Sequence, residues 1–140
     1  KRNASAKWQG DLKTGKGTVS SDSGVLNGTQ YSFSTRFENG KGTNPEELIA
    51  AAHAGCFTMA LSGQLGAANL VADQLATTAT VTMEKLDAGW TVTGIHLDVK
   101  GKVPNADAAA WDKATTAAKT GCPISRLLNT TITMDAKLER

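Results

Sequence analysis

The chain has 140 residues, 40 % of them apolar, with 15 basic and 13 acidic side chains and a formal charge of +2. That length suits one compact domain, residues 1–140, and the single, scattered basic residues argue against nucleic acid or an anionic membrane surface as a partner. No stretch approaches the roughly 20 uninterrupted apolar residues of a membrane helix, the polar start Lys1–Lys13 shows no apolar export core, and two cysteines are too few for a disulfide-stapled secreted domain. A cytoplasmic location is expected.

The first third is rich in turn residues. Gly10-Asp11, Gly15-Lys16-Gly17, Ser23-Gly24 and Asn27-Gly28 punctuate short strand-like segments, among them Gly17–Ser20 and Tyr31–Phe37. Asn27-Gly28 is a hairpin signal, since both residue types tolerate positive φ.

A helix starts at Asn44-Pro45-Glu46-Glu47. Asn44 caps free backbone N–H groups, and proline in the first helical position loses no hydrogen bond. Both glutamates suit the positive end of the helix dipole, and Glu47 stands at capping-box spacing. From Leu48 to Leu65 the run is alanine-rich and almost uncharged. Such a helix is expected to be buried on nearly every side.

Thr77–Glu84 and Gly89–Val99 alternate as the arms of a hairpin turning at Leu86-Asp87-Ala88-Gly89. Asp107–Thr120 reads as a second helix, Ile124–Leu128 as a helical turn, and Thr131–Leu138 as a closing strand. The fold class is therefore α+β, with antiparallel strands, one long buried helix and a second helix.

Two thiols in a reducing compartment are inert core residues, metal ligands or redox catalysts. Cys56 lies within the apolar helix beside Ala52, Gly55, Met59 and Ala60, a setting that also suits a buried structural cysteine. Cys122 lies between Gly121 and Pro123, where free N–H groups at the start of a turn would stabilise a thiolate. His53 and Cys56 share a helix face at i, i+3 spacing, and with Cys122 and His96 they make a nominal Cys₂His₂ set. Structural zinc sites bring their ligands in close sequence pairs, however, and only one such pair exists here.

Glu46 precedes Cys56 by ten residues, about 15 Å along a helix and roughly 80° off the face of the thiol. It cannot touch the cysteine of its own helix, so a role at the thiol requires an intermediary or another subunit. Dipole stabilisation alone also accounts for it. Arg36, among aromatics, suits either a surface residue lying on its neighbours or a guanidinium that grips a thiolate while a glutamate orients it.

The segment Gly42-Thr43-Asn44-Pro45-Glu46-Glu47-Leu48-Ile49-Ala50-Ala51-Ala52-His53-Ala54-Gly55-Cys56-Phe57, followed by Gly121-Cys122-Pro123-Ile124-Ser125, resembles the OsmC/Ohr family of osmotically inducible and organic hydroperoxide resistance proteins. The likeness extends to Trp8-Gln9-Gly10-Asp11 and Ser23-Gly24-Val25-Leu26. It implies an OsmC-like fold, an intertwined homodimer with two interface sites, and no metal or organic cofactor. It also implies that Cys56 is the peroxidatic cysteine, Cys122 the resolving one, and Arg36 and Glu46 the accompanying site pair of the OsmC branch. The Ohr branch carries its arginine in the N-terminal glycine-rich segment, where this chain has Lys13 and Lys16 but no arginine.

The expected activity is reduction of organic hydroperoxides by a Cys56 thiolate of depressed pKa, closure of a disulfide with Cys122, and recycling by a lipoyl-like dithiol. The rival expectation is a dimeric binding module for a small apolar ligand, with structural cysteines.

Overall fold

The computed structural model describes all 140 residues, Lys1–Arg140. The chain forms two compact units, Lys1–Leu48 and Ile49–Arg140.

In the N-terminal unit, β1 (Ala4–Gln9), β2 (Lys16–Ser21) and β3 (Thr29–Tyr31) form an antiparallel sheet in that order. Gly10, at φ +91°, and an Asp11 side chain that accepts from the backbone of Lys13 and Thr14 close the β1–β2 turn. The Asn27-Gly28 signal marks the end of a longer connection. Val19 pairs with Thr29, Ser21 N–H donates to Leu26 O, and only Gly28 of the two adopts positive φ. Gly17 serves close approach: a Cβ there would fall 2.5 Å from Tyr31 and 2.6 Å from Trp8, whose rings meet across the strand at 5.5 Å.

The strand expected over Tyr31–Phe37 stops at Tyr31, and Phe33–Phe37 is a short helix, α1. Ser32 and Thr35 satisfy each other's backbone N–H groups in a capping box, and Phe33 and Phe37 meet one turn apart at 4.9 Å. These local bonds outweigh the aromatic pattern, and Arg36 is a helical residue.

Helix α2 (Pro45–Ala67) begins as expected, with Glu47 N–H donating to Asn44 Oδ1 at 2.8 Å. The Glu47 carboxylate instead accepts from Thr43 Oγ1 at 2.8 Å, leaving the capping box half-built. By length and composition α2 is capable of crossing a bilayer. In the folded chain it buries a single stripe, His53, Phe57, Leu61 and Leu65, spaced four apart. Ala51, Ala52 and Gly55 are exposed, and Met59 is 79 % exposed. Burial on nearly every side is thus not a property of the single chain.

In the C-terminal unit β4 (Gln74–Leu86) and β5 (Gly89–Lys102) pair antiparallel from Leu86↔Gly89, with Gly89 at φ +117° in the turn. Thr93 is the extra residue of a bulge, because Thr82 faces Gly94 while Met83 faces Val92. Asp107 caps α3 (Ala108–Gly121) through Ala110 N–H at 2.7 Å. Helix α4 (Pro123–Leu127) follows, and β6 (Thr131–Glu139) joins β5 in parallel rather than antiparallel register. A parallel neighbour needs a crossover, which α3 and α4 supply. One sheet face presents Ile95, Leu97 and Val99 to Phe57, Leu61, Leu65, Trp111, Ala118 and Cys122, which together make the core. Mixed strands and helices confirm the α+β class.

Candidate active site

Both cysteines belong to the C-terminal unit and both are free thiols. Cys56 is half-buried on α2, and Cys122 is fully buried where α3 ends and α4 begins. The fold brings them together, near enough that the Cys122 thiol and the Ile124 backbone N–H both act on the Cys56 sulfur. Burial pushes the Cys56 thiol above its ordinary value of 9.0, the Ile124 N–H opposes this, and the adjoining Cys122 raises it further. The depressed pKa expected for Cys56 is therefore not produced by the single chain, because no cation within it offsets the desolvation. Cys122 fills the N-cap position of α4 with its sulfur, accepting from Ser125 N–H at 3.3 Å.

The structure also brings Arg36 and Glu46 together, within the N-terminal unit. The α1 capping box sets Arg36 in the last helical turn, and Asn44 ties α1 to the start of α2 by donating to Thr35 O at 3.0 Å. The guanidinium then forks onto the carboxylate. Nη2 donates to Oε1 at 2.7 Å, and Nε donates to Oε1 and Oε2 at 3.1 and 3.2 Å. With Arg36 38 % exposed, such a pair adds less than about 1 kcal/mol of stability. Its fixed geometry matters more than its strength, since it holds the guanidinium over the Phe37 ring at 5.3 Å. Beside it lies a cleft of about 290 Å³, lined by Trp8, Leu12, Tyr31, Phe33, Arg36 and Phe37.

The nominal zinc set does not assemble. His96 stands on the sheet face opposite Ile95 and Leu97, donating or accepting at Thr133 Oγ1 (2.6 Å) and lying 3.2 Å from Asp135. His53 turns into the core instead, with Nε2 at 2.7 Å from Ser125 Oγ. Ser125 is the residue sequence reasoning missed. Its signal was present in Cys122-Pro123-Ile124-Ser125, the spacing at which a cap residue meets the third helical residue.

A family model described as OsmC-like protein matches residues 38–137. The chain is 53 % identical over 134 residues to Peroxiredoxin OsmC of Escherichia coli (strain K12), covering 96 % of this chain and 94 % of that one. A protein of the same name in Shigella flexneri matches to the same extent. Among solved structures, the organic hydroperoxide resistance protein OhrB of Bacillus subtilis superposes with a TM-score of 0.72 at 25 % identity over 98 % of each chain. An OsmC-like protein from Mycoplasma pneumoniae gives 0.77 at 16 % identity over 100 % of this chain and 98 % of that one, a likeness of fold alone.

Proposed function

Because this chain belongs to the OsmC family and is by that kinship a peroxidase, we propose that it reduces organic hydroperoxides to alcohols through a disulfide cycle of Cys56 and Cys122. The observation that carries this reading is the pairing of two free thiols, one half-buried and one fully buried, from positions 66 residues apart (122 − 56).

The Cys56 thiolate attacks the terminal peroxide oxygen. The O–O bond breaks, the alkoxide leaves as alcohol after taking a proton, and Cys56 becomes a sulfenic acid. Cys122 displaces that oxygen as water and closes the disulfide. A dithiol, lipoyl-like in the proposal, then transfers two electrons by exchange and leaves as its own disulfide.

Attack at neutral pH requires something to reverse the raised pKa of Cys56. Arg36 fills that role in the proposal, brought to the thiol in an intertwined homodimer and held by Glu46, with its guanidinium also gripping the peroxide oxygen. The exposed alanine and Met59 face of α2, and a β1 strand exposed along its whole length, support a second copy of the chain as the missing cover. The aromatic cleft beside Arg36 supports a substrate with a hydrocarbon tail, since each buried CH₂ contributes about 0.8 kcal/mol. The cycle needs neither metal nor organic cofactor, and its thiols suit a reducing cytoplasm.

The same cleft would equally suit a carrier of small apolar molecules with inert cysteines. One equivalent of cumene hydroperoxide added to the reduced protein separates the two readings. Loss of two thiols with an intramolecular Cys56–Cys122 disulfide is expected, whereas unchanged thiols would leave the binding module. Cys56→Ser is expected to abolish peroxide consumption, and Cys122→Ser to permit one oxidation without recycling.

A further inference from the structure

A resolving thiol must lose its proton before its sulfur becomes a good nucleophile. Cys122 is fully buried, so bulk water does not reach it directly. The core supplies a proton acceptor instead. The Cys122 thiol donates to Ser125 Oγ at 3.2 Å, and the same oxygen lies 2.7 Å from His53 Nε2. Ser125 Oγ carries a single hydrogen. Since it accepts from Cys122, that hydrogen points to Nε2, which fixes His53 as the neutral tautomer protonated at Nδ1. The three groups thus form a directed chain, S–H to O–H to ring nitrogen, inside a largely apolar core. His53 is fully buried, and its Nδ1 has no partner. Leaving that group unpaired costs about 1–3 kcal/mol, an expense that packing alone does not explain.

We propose that Ser125 and His53 form a proton relay that serves Cys122 while the disulfide closes. The inference rests on the assignment of Cys122 as the resolving thiol. Ser125 is the catalytic residue, in contact with the reacting sulfur. His53, acting through it, is the positioning residue.

As Cys122 Sγ attacks the sulfenic sulfur of Cys56, the S–S bond forms and the S–O bond of Cys56 breaks. The thiol proton passes to Ser125 Oγ while the Ser125 proton passes to His53 Nε2. The departing hydroxide takes a proton from solvent and leaves as water, and His53 gives its proton back through Ser125 when reduction of the disulfide regenerates Cys122 as a thiolate. One thiol and one sulfenic acid give one disulfide and one water, the two sulfurs sharing the oxidation the peroxide delivered. Ser125 N–H, 3.3 Å from Cys122 Sγ, stays in place to hold the developing negative charge. Burial depresses the His53 pKa below 6.5, which keeps Nε2 free to accept.

The test separates the two chemical steps. Wild type, His53→Gln, Ser125→Ala and Ser125→Thr are mixed with one equivalent of cumene hydroperoxide. Sulfenic acid formation and disulfide closure are then followed by quenched-flow mass spectrometry, in H₂O and in D₂O. Glutamine keeps a hydrogen bond to Ser125 but cannot hold a proton. His53→Gln should slow closure relative to oxidation by about 100-fold, the scale of general acid–base catalysis, and abolish the solvent isotope effect on closure. Ser125→Ala should do the same, and Ser125→Thr, which keeps the hydroxyl, should restore closure. Closure at the wild-type rate in His53→Gln, or slowed closure with an unchanged isotope effect, would overturn the relay. Should His53→Gln fail to fold, the alanine–threonine pair at 125 decides: equal closure rates overturn the relay, and threonine rescue supports it. A wild type that loses thiols but never joins Cys56 to Cys122 would sink the disulfide cycle itself, an outcome distinct from failure of the relay alone.

Discussion

Gly101 lies directly against the indole of Trp111, so close that a Cβ on the glycine would fall 2.2 Å from Cη2. Trp111 is the largest fully buried side chain, and β5 approaches it only because position 101 has no side chain. Gly101→Ala is expected to force the ring or the strand aside, at a cost of about 1–3 kcal/mol. Chemical denaturation should show the midpoint moving without a change in slope. An unaltered midpoint would mean that the core yields more easily than its packing implies.

Acid should weaken the fold through His53. Burial lowers its pKa below 6.5 in the folded chain, so below that pH the unfolded chain binds the extra proton. The stability contribution is present in full above about pH 6.5 and declines as the pH falls beneath it. Denaturation midpoints across this range should fall more steeply for wild type than for His53→Gln. Parallel curves would place the acid sensitivity elsewhere.

Cys56 gives a direct reading of the proposed assembly. Burial raises its pKa within one chain, whereas a guanidinium supplied by the dimer would lower it. Thiolate ultraviolet absorbance in the Cys122→Ser background should titrate below 9.0 with Arg36 present and above 9.0 in Arg36→Ala. Identical titrations would remove Arg36 from the thiol.

The fork from Arg36 to Glu46 predicts coupled losses. Arg36→Lys keeps the charge but loses the two-pronged contact, and should reduce the second-order rate with an alkyl hydroperoxide severely. Glu46→Gln should cost less, and the double variant far less than the sum of both, as in any coupled pair. Additive losses, or a wild-type rate for the lysine variant, would reduce the pair to a surface ion bridge.

Met59, 79 % exposed on α2, belongs to the face assigned to a second copy. Sedimentation should find the wild type as a dimer at micromolar concentration and Met59→Asp as a smaller, less active species. A fully active wild-type monomer would contradict the intertwined assembly.

What the sequence revealed was chiefly what neighbouring residues decide. Asn44 and Asp107 announce their helices because a cap is a local bond, and the β4–β5 alternation follows from two faces meeting different surroundings. Phe33–Phe37 misled because aromatic alternation resembles a strand, while the Ser32–Thr35 bonds that make it helical are subtler. The parallel register of β6 is set by the crossover before it, not by its own residues. The roles of Cys56 and Cys122, and of Arg36 and Glu46, came only with the family resemblance, because the local setting of each residue suits an inert role as well. The link from His53 to Ser125 spans 72 positions and leaves no trace in local spacing. Composition marked α2 as apolar all round but does not say which part of that surface its own chain covers.

The parallel pairing of β5 with β6 also bears on the order in which the chain folds. His96 and Thr133 become neighbours across 37 residues, and Cys122 lies inside that excursion. Loops of this length close later than the β4–β5 hairpin, whose arms are joined by a two-residue turn. Cys56 and Cys122 lie 66 residues apart (122 − 56), so their approach is likewise a long-range closure that follows the hairpin. Until then a nascent chain carries two separated thiols, so the proposed disulfide cycle would be open only to molecules whose tertiary fold has formed.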